Sequence, residues 1–332
     1  MSQLRVLSYA DVVKLLPMHE CIEVVERALA ATARGGAVIP LRMAIWQPDR
    51  TGMIGLMPGV LDEPKSLGLK VVSIFPGNHG TGRDSHQGVV MLFDVESGAP
   101  LGLLDAGAIT AIRTAAASGA ATRVLARADA GDLALLGSGV QARTHLEAMR
   151  CVRPLRRVRV WSRNDAHARE FAEREAQRAG IPIEVTRSAE AAVKGADLIC
   201  TTTAATEPIL QGEWLSPGAH VNAVGSSFAN HRELDATAVK RARLYTDCRE
   251  SASNEAGDFL IAKREGAFGD EHLLGELGEV LLGRVPGRRS PDDITLYKSL
   301  GVAVEDLAAA SFLLQRAAET NCGSLIDWGS SP

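Results

Sequence analysis

The chain predicts an α/β protein, a doubly wound parallel sheet joined to an N-terminal α+β domain with an antiparallel sheet. Three observations predict it. Residues 132–136, Asp-Leu-Ala-Leu-Leu, run as a short apolar strand into Gly137-Ser138-Gly139-Val140-Gln141-Ala142 and a helix-like continuation. Strand-like segments at 132–136, 157–161, 181–185, 197–201, 219–224 and 243–247 have helical stretches between several of them, the pattern of parallel strands with helical crossovers. Ahead of these, residues 38–105 carry short apolar runs punctuated by glycine, which reads as antiparallel strands joined by turns.

In order, Ser8 is a candidate N-cap, and apolar positions recur at helical spacing through residue 34. Strands are expected around Gly52–Pro58, Gly68–Phe75, Gly88–Asp94 and Pro100–Asp105, with Glu96-Ser97-Gly98 turning the last two into a hairpin. The glycine-rich stretch 77–85 reads as a mobile loop, and Thr110–Ala128 as a long alanine-rich helix leading into the second domain. The Arg/Val alternation from 153 to 159 reads as a strand with a solvated face. The last helix, Val302–Glu319, has no strand expected after it and would pack back on the first domain, and 321–332 reads as a loose tail. Domains are expected at 1–112 with 302–332, and at 113–301.

The run from Asp132 to Ala142 is a strand, a G-x-G-x-x-A turn and a helix, the Rossmann-type dinucleotide fingerprint. Gly137 permits the tight turn, Gly139 lets backbone approach a pyrophosphate, and Ala142 allows close helix–strand packing. The next strand ends in Ser162-Arg163-Asn164 rather than in an acid. An acid there would accept from ribose hydroxyls, whereas Arg163 with Ser162 and Asn164 suits a 2′-phosphate. NADP(H) is therefore expected, with NAD(H) possible; the plain alternative is that Arg163 is a solvated helix opener.

Bulk properties exclude several classes. With 332 residues a large core is available, and a net charge of −4 gives no global attraction to nucleic acid or anionic membrane. Five scattered cysteines without a C-x-x-C spacing argue for a reducing compartment, and no histidine pattern points to a metal. The N-terminus lacks a signal-peptide pattern and no apolar run approaches a membrane span, so a cytoplasmic location is expected.

Several ordered segments then carry a resemblance: Leu69-Lys70-Val71, Ser85-His86-Gln87, Ile112-Arg113-Thr114, the glycine loop, Pro217 to Gly225, Arg232-Glu233-Leu234-Asp235, Glu276 to Val280 and Lys298 to Asp306. Together they resemble the ornithine cyclodeaminase/mu-crystallin family, closest to its mu-crystallin-like ketimine reductase branch. The resemblance implies NAD(P)H-dependent reduction of cyclic ketimine acids. It implies Lys70 as the active-site lysine, Arg42 and Arg113 as carboxylate binders, and a homodimer formed through the antiparallel sheet. It also extends the cofactor set of Gly137, Ser138, Gly139, Val140, Gln141, Ser162, Arg163 and Asn164 to Thr114, Thr202, Val224 and Ser299. Cyclodeaminases carry an Asp two residues after the glycine matching Gly225, where this chain has Ser227. A serine is no anionic acid/base near neutral pH, which disfavours ornithine cyclodeamination.

Reducing a ketimine acid requires a clamped carboxylate, a proton for the imine nitrogen and a hydride donor over the imine carbon. Guanidinium forks at Arg42 and Arg113 suit the first. Lys70, and Ser227 through a hydrogen bond or a held water, suit the second. His86 is a candidate lining residue or a loop-end hydrogen-bonder. The bland readings are a snorkelling Lys70, a solvated Arg113 and an outward-facing strand residue at Arg42. Glu279 and Asp306 read as structural. Beside the reductase, an amino-acid dehydrogenase of the alanine dehydrogenase type, a cyclodeaminase, and a non-enzymatic small-ligand binder remain the alternatives.

Overall fold

The computed structural model describes residues 2–78, 81–82 and 85–329. The chain divides into two compact units, residues 1–113 with 302–332, and residues 114–301.

The first unit opens with β1 (Ser2–Leu7), α1 (Tyr9–Leu15) and α2 (Met18–Ala33). Ser8 caps α1 through a capping box with Asp11. Then come β2 (Ala37–Val38), β3 (Met43–Trp46), β4 (Met53–Asp62), β5 (Lys65–Ile74), β6 (His86–Phe93) and β7 (Pro100–Asp105). The following helix α3 (Ala106–Leu125) begins where Asp105 Oδ1 accepts from Ala108 N, and the division between units falls inside it.

The second unit contains β8 (Asp132–Leu136), α4 (Val140–Val152), β9 (Arg157–Trp161), α5 (Asp165–Ala179), β10 (Ile183–Val185), α6 (Ala189–Val193) and β11 (Leu198–Thr201). It continues through β12 (His220–Ala223), α7 (Ala236–Arg241), β13 (Ala242–Thr246), α8 (Arg249–Glu255), α9 (Gly257–Arg264), β14 (Leu273–Glu276), α10 (Leu277–Leu281) and β15 (Ile294–Lys298). The chain returns to the first unit with α11 (Ala303–Glu319) and β16 (Ser324–Trp328).

The first sheet runs β16-β1-β7-β6-β5-β4-β2, with β3 also on β4. All its pairs are antiparallel except β1 with β7. Side chains alternate along β4, with Met53, Met57 and Leu61 buried and Ile54 and Val60 exposed. Helix α11 packs on β4, β5 and β6. Glycines opposite each other in β4 and β5 allow that approach. A Cβ on Gly59 would lie 3.1 Å from Ala303 Cβ, and one on Gly68 would meet the Met91 carbonyl at 2.2 Å and Leu307 at 3.1 Å. The opposite face leaves Met43, Ile45, Ile54, Val60, Val89 and Leu101 exposed.

The second sheet, in the order β10-β9-β8-β11-β12-β15-β13-β14, is parallel throughout. The chain steps from β8 outward to β10, then resumes on the other side of β8 with β11. The topological switch point, where doubly wound sheets bind ligands, therefore lies between β8 and β11. Among the described residues no helix is long and apolar enough to cross a membrane.

Three sequence expectations change. The segment after the last helix is not a loose tail: Ser324–Trp328 pairs antiparallel with β1. Both strands sit at chain ends more than 300 residues apart, so no local signal joins them. Residues 330–332 lie outside the described residues, as do 79, 80, 83 and 84 of the loop expected to be mobile. The Arg/Val strand is not simply solvated on one face, because Arg159 is buried and donates from Nη1 to the Ala191 and Lys194 carbonyls. Finally, β15, which sequence reading did not mark as a strand, inserts between β12 and β13.

Gly323 turns the chain into β16 at φ 82°, where a Cβ would meet Leu7 Cδ2 at 2.4 Å and the Val6 carbonyl at 2.6 Å. Gly323→Ala should lower stability to urea by about 1–3 kcal/mol through left-handed strain and this clash. An unchanged urea midpoint would show that the C-terminal segment is not held against β1.

Candidate functional site

Lys70 lies on the buried face of β5, opposite Met57 of β4 and Val90 of β6. Its side chain is 3% exposed, and an ammonium so placed requires a partner. The partner comes from the first turn of α11, where carboxylates suit the positive end of the helix. Asp306 Oδ2 accepts from Lys70 Nζ at 2.6 Å, and Thr110 Oγ1 is 3.5 Å from Nζ. The other oxygen of Asp306 accepts from Arg113 Nε at 2.8 Å, and Glu305 Oε2 accepts from Arg113 Nη1 at 2.8 Å. One carboxylate therefore fixes the lysine and the arginine together. The Nη2 donors of Arg113 remain uncommitted to either acid.

The electrostatics follow from this packing. Burial pushes Lys70 down to about 8, with the Arg113 and Arg42 charges adding to the fall and Asp306 opposing it. Burial alone would raise Asp306, but Arg113 and Lys70 outweigh it and hold the carboxyl below its ordinary range. Burial would likewise lower Arg113, yet its two acids keep it firmly protonated. Arg42 sits half-buried just ahead of β3, close enough for its charge to act on Lys70. Lys70, Arg42 and Arg113 against Asp306 and Glu305 give a formal balance of 3 − 2 = +1.

In the second unit the glycine loop fits a dinucleotide. Gly137 has φ 123°, and a Cβ there would collide with Thr202 Oγ1 at 2.7 Å and its carbonyl at 2.9 Å, across the switch point. A Cβ on Gly139 would meet nothing within 4 Å, so the approach to the start of α4 is open. Gly139 caps α4 without a side-chain hydrogen bond, and the first turn holds no acid. Its N–H groups are thus available to a diphosphate. Below the loop, burial pushes His145 down to about 4, leaving a neutral ring that donates from Nδ1 to the Gln141 carbonyl at 2.7 Å. Ser138 and Gln141 are half-buried and Val140 is exposed. Ser162 and Arg163 follow β9, with Arg163 exposed. Asn164 Oδ1 is committed as the cap of α5, accepting from Ala166 N and His167 N. Thr202, Val224 and Ser299 follow β11, β12 and β15 on the same carboxyl edge, whereas Thr114 is buried in α3.

A buried network that sequence reading missed ties these edge loops together. Lys298, at the end of β15, sits 2.8 Å from Asp258 Oδ2 and donates to the Gly225 carbonyl. Asp258 Oδ1 accepts from Glu233 N and Leu234 N. Glu233 Oε1 accepts from Thr203 N at 2.7 Å and from its hydroxyl at 2.5 Å. Burial raises the Glu233 carboxyl above its ordinary range. Ser227 is half-buried in the loop so anchored, next to Ser226 at φ 62°.

The expected site residues thus fall into two groups. Lys70, Arg113 and Arg42 come together in the first unit, and His86 stands at the exposed start of β6 with Nδ1 3.0 Å from Ser85 Oγ. Ser227 and the cofactor set, apart from the buried Thr114, line the edge loops of the second unit. Asp306, read as structural, holds the lysine and arginine directly, and Glu305 carried no sequence signal beyond its motif. Glu279 closes a capping box with Glu276 at α10. Among the described residues no group of three or more His, Cys, Asp or Glu is placed to hold a metal ion.

The family described as ornithine cyclodeaminase/mu-crystallin matches residues 3–321. The chain is 40% identical over 291 residues to the ketimine reductase mu-crystallin of Mus musculus, covering 87% of this chain and 89% of that protein. It is similar to the structure of Thermococcus litoralis Δ1-pyrroline-2-carboxylate reductase in complex with NADH and L-proline, with TM-score 0.94, 39% identity, and coverage of 97% of this chain and 99% of that one. An archaeal alanine dehydrogenase dimer with bound NAD has TM-score 0.93 and 32% identity, covering 99% of this chain and 100% of that one. With a match across nearly its whole length, the chain belongs to the ornithine cyclodeaminase/mu-crystallin family.

Proposed function

We propose that the chain is an NAD(P)H-dependent reductase of a cyclic imino acid, such as Δ1-pyrroline-2-carboxylate or Δ1-piperideine-2-carboxylate, yielding the L-amino acid. The observation that carries this reading is the buried Lys70 ammonium, locked by the same Asp306 carboxylate that orients Arg113. The substrate carboxylate is bound by Arg113 Nη2, with Arg42 beside it. Lys70, at about 8, is mostly protonated near neutral pH yet acidic enough to release its proton to the imine nitrogen. A dinucleotide held at the glycine loop and the start of α4 would supply a hydride. As the carbon–nitrogen π bond breaks and the carbon takes up that hydride, Lys70 would give its proton to the nitrogen, so that the imine becomes an amine. The Ser227 hydroxyl serves the imine nitrogen directly or through a water, and His86 lines the substrate.

NADP(H) is the preferred cofactor, because the exposed Arg163 stands where an acid would favour NAD(H). The protein works as a homodimer in the cytoplasm. Support for the dimer is the open face of the first sheet, on which Met43, Ile45, Ile54, Val60, Val89 and Leu101 are exposed, together with the dimeric state of the similar alanine dehydrogenase. Support for the compartment is five unpaired cysteines.

Oxidation of NADPH and NADH by a panel of cyclic imino acids tests the activity, and no turnover of any member would refute it. Lys70→Met should cut kcat by roughly a hundredfold, the scale of a general acid, while cofactor affinity is nearly unchanged. In the reductive direction kcat/KM should fall as pH rises through about 8, because Lys70 loses the proton it must donate. A flat profile to pH 10 would remove Lys70 from that role. Ile54→Lys, placed on the open face, should convert the dimer to monomer in light scattering at micromolar concentration. A parent protein already monomeric there would rule the dimer out.

A further inference from the structure

The geometry points to Arg187 as a second guanidinium that, with Arg163, grips the 2′-phosphate of NADP(H) and sets cofactor choice. This rests on the NADP(H) reading above and names a residue that the glycine fingerprint and its following strand do not include.

Strands β9 and β10 are parallel neighbours, with Val185 opposite Val160. Thr186 N continues the ladder by donating to the Val160 carbonyl at 3.0 Å. One residue further, that register brings Arg187 beside Ser162 and one position from Arg163. Neighbouring strands lie about 4.8 Å apart, well within the joint reach of two arginine side chains on one phosphate.

The corner that carries Arg187 is braced on both sides. Thr186 is buried, and its hydroxyl donates to the Val160 carbonyl at 3.3 Å and the Ser188 carbonyl at 3.1 Å. Ser188 Oγ caps α6 by accepting from Ala191 N at 3.1 Å. From below, the buried Arg159 donates to the Ala191 and Lys194 carbonyls at 3.0 and 2.7 Å. Thr186, Ser188 and Arg159 are spent on backbone, while Arg187 is exposed and makes no hydrogen bond or ion pair with a described residue. Arg163 is in the same state. The acid nearest in sequence, Asp165, faces Arg169 at 3.8 Å, and Asn164 has already capped α5. A phosphate at this edge would therefore be met by the two guanidinium forks rather than by the capped helix end.

Calorimetric titration of the full-length protein with NADPH, NADH, 2′,5′-ADP and 5′-AMP tests this, comparing the parent with Arg163→Ala, Arg187→Ala and Arg187→Lys. Arg187→Ala should weaken NADPH and 2′,5′-ADP about tenfold, the scale of a charge-assisted contact at a partly exposed site, and leave NADH and 5′-AMP within about twofold. Arg187→Lys should recover part of the loss. Equal weakening of NADPH and NADH by Arg187→Ala, or weakening of neither, overturns the proposal while Arg163→Ala still reports on the cofactor reading. A parent that binds NADH as tightly as NADPH overturns both.

Discussion

The first unit depends on one carboxylate buried between two cations. Taking Lys70, Arg113, Glu305 and Asp306 out of water is costly, and mutual pairing in fixed geometry offsets that cost. Asp306 uses one oxygen for each cation, so the separation of ammonium and guanidinium is set by the width of a carboxyl group rather than by two flexible stems. Losing either partner would strand a buried charge, a change of about 3–5 kcal/mol in comparable pairs. The same constraint leaves the lysine desolvated, with its pKa pushed down by burial and held up by its pairing with Asp306.

The pairing exists because α11 can come close to the sheet. Gly59 and Gly68 face each other across β4 and β5, and side chains at either position would push Ala303 and Leu307 away. A longer distance would separate the acids of the first helical turn from a lysine rooted in a strand. The glycines that punctuate this part of the chain therefore act as packing surfaces as well as turns.

In the second unit the analogous constraint is backbone rather than charge. Gly137 lies against Thr202 across the switch point, while Lys298, Asp258 and Glu233 tie the loops after β11, β12 and β15 to one another. A dinucleotide offered to that edge meets loops already linked by hydrogen bonds, which lowers the ordering needed on binding.

The parallel unit was legible in the sequence because its signals are local: strand, glycine turn and helix follow one another within a few residues, and β8 is apolar after its first residue. Lys70 and Arg113 were legible as charges in apolar surroundings. The partners were not, since Asp306 is 236 positions from Lys70 and 193 from Arg113. Nor was the β1–β16 pair, because β16 is exposed along its whole length and carries no burial pattern. Sequence alone determined which residues could bear charge and which segments could form strands. Tertiary structure decided which charges share a carboxylate and how far each is desolvated, because both depend on contacts between segments distant along the chain.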